Sequence, residues 1–379
     1  MVALARKTLV HEWRRFLPAV LAVGFAGLLQ LLQAALVLGI FGSASVYITG
    51  SSADLWVGYP GTQSVNLGRP IDPNVEARLL MDPAVARVEP FIWLDADWHS
   101  GGGTGGVSVF VSGIDPRADG MLFARALPPA LRALLNEPDA VVVDRADLGQ
   151  LGVGIGDSAT INGRRVRVAG VASGLRALGG VNVVASLDTA RQLDNDPADG
   201  GRPTYLVAQL HDHARAAVEA AAGRLRADAA FGPYEVWTAR AFARRSMLYW
   251  ILDTGAGAGV LFLAAIVFLV GAVITSQTLV AAVAGSLREY ATLNALGVSV
   301  ADLRWVVLEQ ALWVGGVGLL GAAVLGAALL ALARNQDVPA MLNPPVALAC
   351  AALTLGLAAV SGVAAVRGLR RADPATLLR

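Results

Sequence analysis

The chain has 379 residues, a formal net charge of +1, 55% hydrophobic residues, 16% charged residues and a mean hydropathy of +0.56. A soluble domain carries about a quarter charged residues, so this composition excludes a purely soluble protein. The net charge itself says nothing about nucleic acid, but no basic face or aromatic-basic stripe appears, so no nucleic-acid partner is expected. The single cysteine, Cys350, excludes an intrachain disulfide.

In chain order, residues 1–15 form a basic segment with Arg6, Lys7, Arg14 and Arg15. No Asp, Glu, Lys or Arg then occurs between Arg15 and Asp54. A helix crosses about 30 Å of hydrocarbon in roughly 20 residues, and an unpaired charge at that depth costs at least about 2.5 kcal/mol, so this gap predicts a membrane helix over 16–43. Its apolar core is too long for the roughly 7–15 residues of a signal-peptide h-region, so it reads as a retained helix. Pro18 fits its first turn.

Residues 44–248 read as an extracytoplasmic α+β domain with its stalk. Expected strands are 54–58, 85–98, 107–113, 140–144, 159–161, 165–171, 181–185, 204–210 and 234–237. Asn162-Gly163 is a hairpin turn signal. Helices are expected over 73–81, with Asp72 as N-cap, over 187–193 and over 213–230. Strand–helix–strand units at both ends imply a split βαβ, porter-like part with a β-rich insertion.

Three more charge-free gaps follow, from Asp253 to Arg288, Glu309 to Arg334 and Asp337 to Arg367. They predict membrane helices over 249–284, 305–333 and 346–366, joined by a segment at 285–304 and a loop at 334–345, and followed by a tail at 367–379. The fold class is therefore an α-helical membrane protein with four transmembrane helices plus an extracytoplasmic α+β domain. Arginines cluster at both termini and at 285–304, which puts these regions on the cytoplasmic side. The helical pattern of the second span begins near Ala239, giving on the order of 50 Å or more, so that helix either tilts or protrudes as a stalk. Trp305, Trp250 and Tyr249 fall at interfacial depth.

The 285–304 segment reads either as a plain connector or as a short amphipathic helix lying under the membrane, and it is longer than a connector needs. Leu287, Tyr290, Leu293 (or Asn294) and Leu296 lie near i, i+3 spacing, Gly297 suits a left-handed helix end, and Ser299 can cap the next helix with Asp302 in its first turn. Arg288-Glu289 followed by Thr292-Leu293-x-Ala295-Leu296-Gly297 resembles the signature of ABC transporter permeases of the MacB/FtsX/LolC mechanotransmission type. The helix count, the insert after the first helix and the arginine-rich C-terminus agree with it. Leu4-Ala5-Arg6-Lys7, His11-Glu12, and Ser52-Ala53-Asp54-Leu55-Trp56-Val57 with Pro60-Gly61-Thr62 resemble the DevC branch. Tyr290 departs from the family, in which isoleucine is common.

The resemblance implies a permease homodimer in the bacterial cytoplasmic (inner) membrane. A partner ABC ATPase would dock on a coupling helix, with Arg288, Glu289, Tyr290, Leu293, Leu296 and Gly297 as the coupling residues. ATP-driven closure would move the outer domain and expel a lipophilic or amphiphilic cargo, glycolipid-like in the DevC branch, with a periplasmic adaptor and outer-membrane channel. The alternative is FtsX-like signalling to a periplasmic cell-wall hydrolase.

The residues themselves agree on the division of labour. A P-loop needs G-x-x-x-x-G-K-[ST], yet the only lysine is Lys7. ATP and Mg would thus be bound by a partner chain, with no cofactor or metal here. The sequence lacks a G-x-S-x-G elbow and an H-E-x-x-H motif, so this chain reads as a non-catalytic subunit. Gly152-x-Gly154-x-Gly156 reads as a turn cluster, and His211-Asp212-His213 as capping or solvated residues. Gln30 and Gln33, three apart in the first span, are candidate intramembrane polar contacts: either an interhelical hydrogen bond or a lining for a headgroup. Gly255, Gly257 and Gly259, and Gly315, Gly316, Gly318 and Gly321, read as helix-packing positions with a dimer interface as the alternative.

Overall fold

A computed structural model of the chain describes residues 11, 13–101, 105–195, 201–226, 231–285, 292, 298–336 and 338–369. It divides into two compact units, one containing residues 1–39 and 258–379, the other Ile40–Gly257.

The first unit is helical. Trp13–Gly42, Gly255–Gly285, Val300–Asn335 and Pro344–Leu369 are helices. All 4 contain stretches long and apolar enough to cross a membrane. Pro18 lies inside the first helix rather than in its opening turn, because the helix already runs from Trp13. The first helix is central, and small residues let its neighbours approach. A Cβ on Gly24 would meet the Gly318 carbonyl oxygen at 3.0 Å, one on Gly271 the Ala26 Cβ at 3.1 Å, and one on Gly27 the Thr354 Cγ2 at 3.3 Å. It therefore touches each of the other three helices. Gly315 packs on Leu355 and Ala358, as expected of a packing glycine, whereas Gly316, Gly321, Gly255 and Gly259 face open space.

The second unit is built on a mixed sheet of 9 strands among the described residues. They are β1 (Leu55–Gly58), β2 (Val85–Ser100), β3 (Val107–Ile114), β4 (Ala140–Asp144), β5 (Ser158–Ile161), β6 (Arg164–Ala172), β7 (Val181–Ser186), β8 (Tyr205–Leu210) and β9 (Glu235–Thr238). One half has the order β9-β1-β8-β2, all antiparallel. Helix Val75–Leu80 joins β1 to β2, and helix Arg215–Arg224 joins β8 to β9. This is a split βαβ arrangement, with the remaining strands inserted between β2 and β8.

Those strands close on themselves. The second half of β2 pairs with β3, followed by β7, β4, β6 and β5, and β5 returns to β2 through Trp98↔Ile161. The result is a small closed barrel that removes its own edges. Its filling comes from alternate residues such as Ala96, Trp98, Val109, Val111, Val141, Val143, Val166, Val168 and Val183. At the Asn162-Gly163 turn, φ is +49° and +80°, the two left-handed positions that a tight hairpin requires.

The split βαβ sheet is covered on both faces. The two helices bury Leu55, Val57, Leu206, Ala208 and Val236 on one side. On the other, Trp56, Phe91, Tyr205, Val207, Trp237 and Phe242 form an aromatic core with Trp93 and Val142 of the barrel. Trp56 sits 5.7–5.9 Å from the rings of Phe91, Tyr205 and Phe242. Two expectations need correction. Asp72 does not cap the first of these helices; its carboxylate accepts from Asn74 N–H at 2.8 Å and tightens the turn before Val75. The helix expected over 213–230 starts at Arg215, since Asp212 holds Ala214 N–H in a turn and delays the start; it is described to Arg224, and 227–230 lie outside the described residues.

Candidate functional site

The residues expected to couple to an ATPase, Arg288, Glu289, Tyr290, Leu293, Leu296 and Gly297, lie outside the described residues. What flanks them is described. Helix Gly255–Gly285 ends where a Cβ on Gly285 would meet the Arg15 guanidinium at 2.1 Å, so Arg15 of the first helix lies against this end. On the far side, Ser299 caps helix Val300–Asn335. Its hydroxyl accepts from Asp302 N–H at 3.2 Å and donates to the Asp302 carboxylate at 2.6 Å. The cap fixes where helix Val300–Asn335 begins, and the acidic side chain suits the positive helix end.

Of the two glutamines, Gln30 lies in hydrogen-bond reach of the Thr354 hydroxyl, Oε1 to Oγ1 3.2 Å, a hydroxyl that also has Cys350 O as an acceptor at 2.9 Å. This joins the first helix to the fourth at the point where Gly27 lets them touch. Gln30 Nε2 is buried without a partner among the described residues. Gln33 is half-buried and shares no hydrogen bond with Gln30 or Thr354. Thr354 was not singled out from sequence, although a lone threonine amid the apolar residues 344–360 was the available signal.

The stalk differs from expectation. Helix Ala239–Leu248 gives way to a π turn at Tyr249–Asp253, and Thr254 is extended (φ −107°, ψ 147°) before helix Gly255–Gly285 begins. The second span and its outward extension are thus two helices. Thr254 makes the break: its hydroxyl donates to Trp250 O at 2.6 Å and accepts from Gly257 N–H at 3.1 Å. Only glycine fits at 257, where a Cβ would lie 2.2 Å from Ile251 O. Trp250 donates to Ser64 Oγ at 3.0 Å, tying the turn to the domain.

Buried charges hold the outer unit's loops. Glu89 is fully buried on β2. One of its oxygens accepts from Met121 N–H at 2.8 Å, and the other lies 3.4 Å from Arg87. Burial pushes the Glu89 carboxyl above its ordinary range, with the Met121 N–H and Arg87 opposing. Arg132, also buried, donates to Asp115 O at 2.8 Å and to Leu122 O. The loop 115–127 is thereby strapped between β2 and the chain at 50–52, where Met121 O accepts from Ser52 N–H at 3.0 Å. His213 Nδ1 pairs with Asp54 at 2.9 Å and Asp212 caps locally. Among the described residues no three His, Cys, Asp or Glu side chains gather as metal ligands.

Residues 19–227 match the family model of the MacB-like periplasmic core domain, and residues 261–374 that of the FtsX-like permease C-terminal region. The chain belongs to the MacB/FtsX-type ABC permeases. Membership implies an ABC-type complex with an ATPase partner. Together with the four apolar helices it places this permease in the bacterial inner membrane. Among solved structures, the periplasmic region of MacB from Actinobacillus actinomycetemcomitans shares 13% identity at a TM-score of 0.37, over 52% of this chain and 94% of that one. The extracellular domain of the noncanonic ABC-type transporter YknZ from Gram-positive bacteria shares 11% at 0.35, over 49% and 100%. No curated protein matches the chain.

Proposed function

We propose that this permease couples ATP hydrolysis by a separate ATPase subunit to movement of its mixed-sheet domain, and so exports a lipophilic or amphiphilic cargo. The observation that carries this reading is the layout of the family match: a folded domain inserted between the first and second apolar helices of a chain that has no P-loop lysine. ATP and Mg belong to the partner. The termini and residues 285–304 face the cytoplasm, where Arg288, Glu289, Tyr290, Leu293, Leu296 and Gly297 form the docking turn. The permease works as a homodimer, and its DevC-like segments favour a glycolipid-like cargo passed to an adaptor and outer-membrane channel.

The test is to co-purify the chain with its ATPase and compare wild type with Arg288→Ala/Glu289→Ala and Leu293→Asp. Both variants should assemble in the membrane, yet ATPase stimulation should fall at least tenfold. Unchanged stimulation would refute the docking assignment. Capture of a cell-wall hydrolase instead of an adaptor would replace export by signalling.

A further inference from the structure

Helix Ala239–Leu248, between the mixed sheet and the second apolar helix, carries three arginines and no acidic residue. Thr238 caps it, accepting from Ala241 N–H at 3.2 Å. One face is committed to the core: Phe242 and Ser246 are buried, and Ala239 and Ala243 pack against the aromatic cluster. Arg245 is also committed, bonded to Glu235 at 3.1 Å and lying over the Trp237 ring at 5.7 Å. Arg240 and Arg244, one turn apart, are exposed and make no ion pair or hydrogen bond with any described residue.

Helix stability does not account for them. Arg240 stands in the first turn, where the helix dipole disfavours a cation, and no acidic residue lies a turn away to pair with either. Their position along the chain does. The helix packs on Ser43–Ser45 and Val46–Thr49, which continue directly from the first apolar helix. Arg244 stands only 11 residues before Gly255, the first residue of the second apolar helix. Tyr249 and Trp250, aromatics of the kind that sit at headgroup depth, lie between. Two free guanidinium groups about 5–6 Å apart at their Cβ atoms can each make paired N–H bonds to phosphate oxygens.

We propose that Arg240 and Arg244 bind the phosphate of anionic phospholipid headgroups in the leaflet adjoining the mixed-sheet domain. The bound lipid anchors the short helix that leads into the second apolar helix and packs on the continuation of the first. The site needs neither the ATPase nor the cargo, so it stands or falls independently of the export reading.

The experiment titrates the purified full chain, in a neutral detergent, with dioctanoyl phosphatidylglycerol and with dioctanoyl phosphatidylcholine. Each membrane-proximal arginine contributes about fivefold to anionic lipid binding, so R240A/R244A should lower phosphatidylglycerol affinity about 25-fold and leave phosphatidylcholine unchanged. R240K/R244K should keep most of the charge attraction, and Arg215→Ala, an exposed helical arginine elsewhere, should change nothing. Alanine is the best helix former, so these variants keep the fold, which an unchanged melting temperature verifies. Equal wild-type affinity for the two lipids, an unaltered preference in R240A/R244A, or displacement of phosphatidylglycerol by equimolar inorganic phosphate would each overturn the proposal.

Discussion

Asp82→Asn is the sharpest test of what holds the split βαβ half together. Asp82 sits in the turn between helix Val75–Leu80 and β2, with its side chain 6% exposed. The Arg224 guanidinium grips it through two bonds of 2.9 Å, and Ala84 N–H adds a third at 2.9 Å. The pair thereby ties the end of one crossover helix to the end of the other. Breaking a buried pair costs about 3–5 kcal/mol and an exposed one at most about 1; with Arg224 half-exposed, about 2 kcal/mol is expected at pH 7. For a unit of this size that is a fall of about 4–8 °C in Tm, followed by tryptophan fluorescence on the intact chain in detergent.

The pH dependence carries the sign. The hydrogen bond from Arg224 holds the Asp82 carboxyl below its ordinary range, opposed by burial. Such a group stabilises the fold above its unfolded pKa of about 3.9, and that stability disappears as pH falls through the lowered folded value. The gap between wild type and Asp82→Asn should therefore be full at pH 7 and close below about pH 4. Arg224→Met should be worse than Asp82→Asn at pH 7, since it strands a buried carboxylate. Equal melting at pH 7, or a gap that persists unchanged into acid, would refute the reasoning.

Glu89 should behave in the opposite sense. Burial raises its folded pKa, so its ionised form weakens the fold as pH rises from about 4.3 through the raised value. Glu89→Gln, which keeps an acceptor for Met121 N–H, should therefore melt no lower than wild type at pH 7 and show a flatter pH profile in the same assay. Within the membrane unit, Gly318→Leu forces a side chain onto Val20 O and Gly24 N, 2.9 and 3.0 Å from an added Cβ, and should cost about 1–3 kcal/mol. Gly316→Leu, which meets nothing within 4 Å, should leave the heat-denaturation step of the detergent-solubilised chain unmoved.

What the sequence disclosed, and what it hid, follows the range of the interactions. Charge-free gaps exposed the membrane helices because hydrocarbon excludes charge residue by residue. The Asn162-Gly163 hairpin and Ser299 cap are local chemistry and were equally legible. Barrel closure was not: Trp98↔Ile161 and Val109↔Val181 join residues more than 60 apart, and nothing near either strand encodes its partner. The break at Thr254 was hidden because Thr-Gly-Ala-Gly continues an apolar run without proline, while the capping hydroxyl and the close approach at Gly257 emerge only in three dimensions. Likewise Gln30 was visible as a polar residue in lipid, but its partner Thr354 lies at the other end of the chain.

One strand has a mechanical consequence. Because β2 gives its first half to β8 and its second half to β3 and β5, a single stretch of backbone runs unbroken through both parts of the outer unit. The aromatic core adds side-chain contact to that covalent continuity, since Trp56, Tyr205 and Phe242 share one cluster with Trp93 and Val142 of the barrel. A displacement delivered to one part therefore has a direct covalent and packed route into the other, along β2 and through the cluster beneath it.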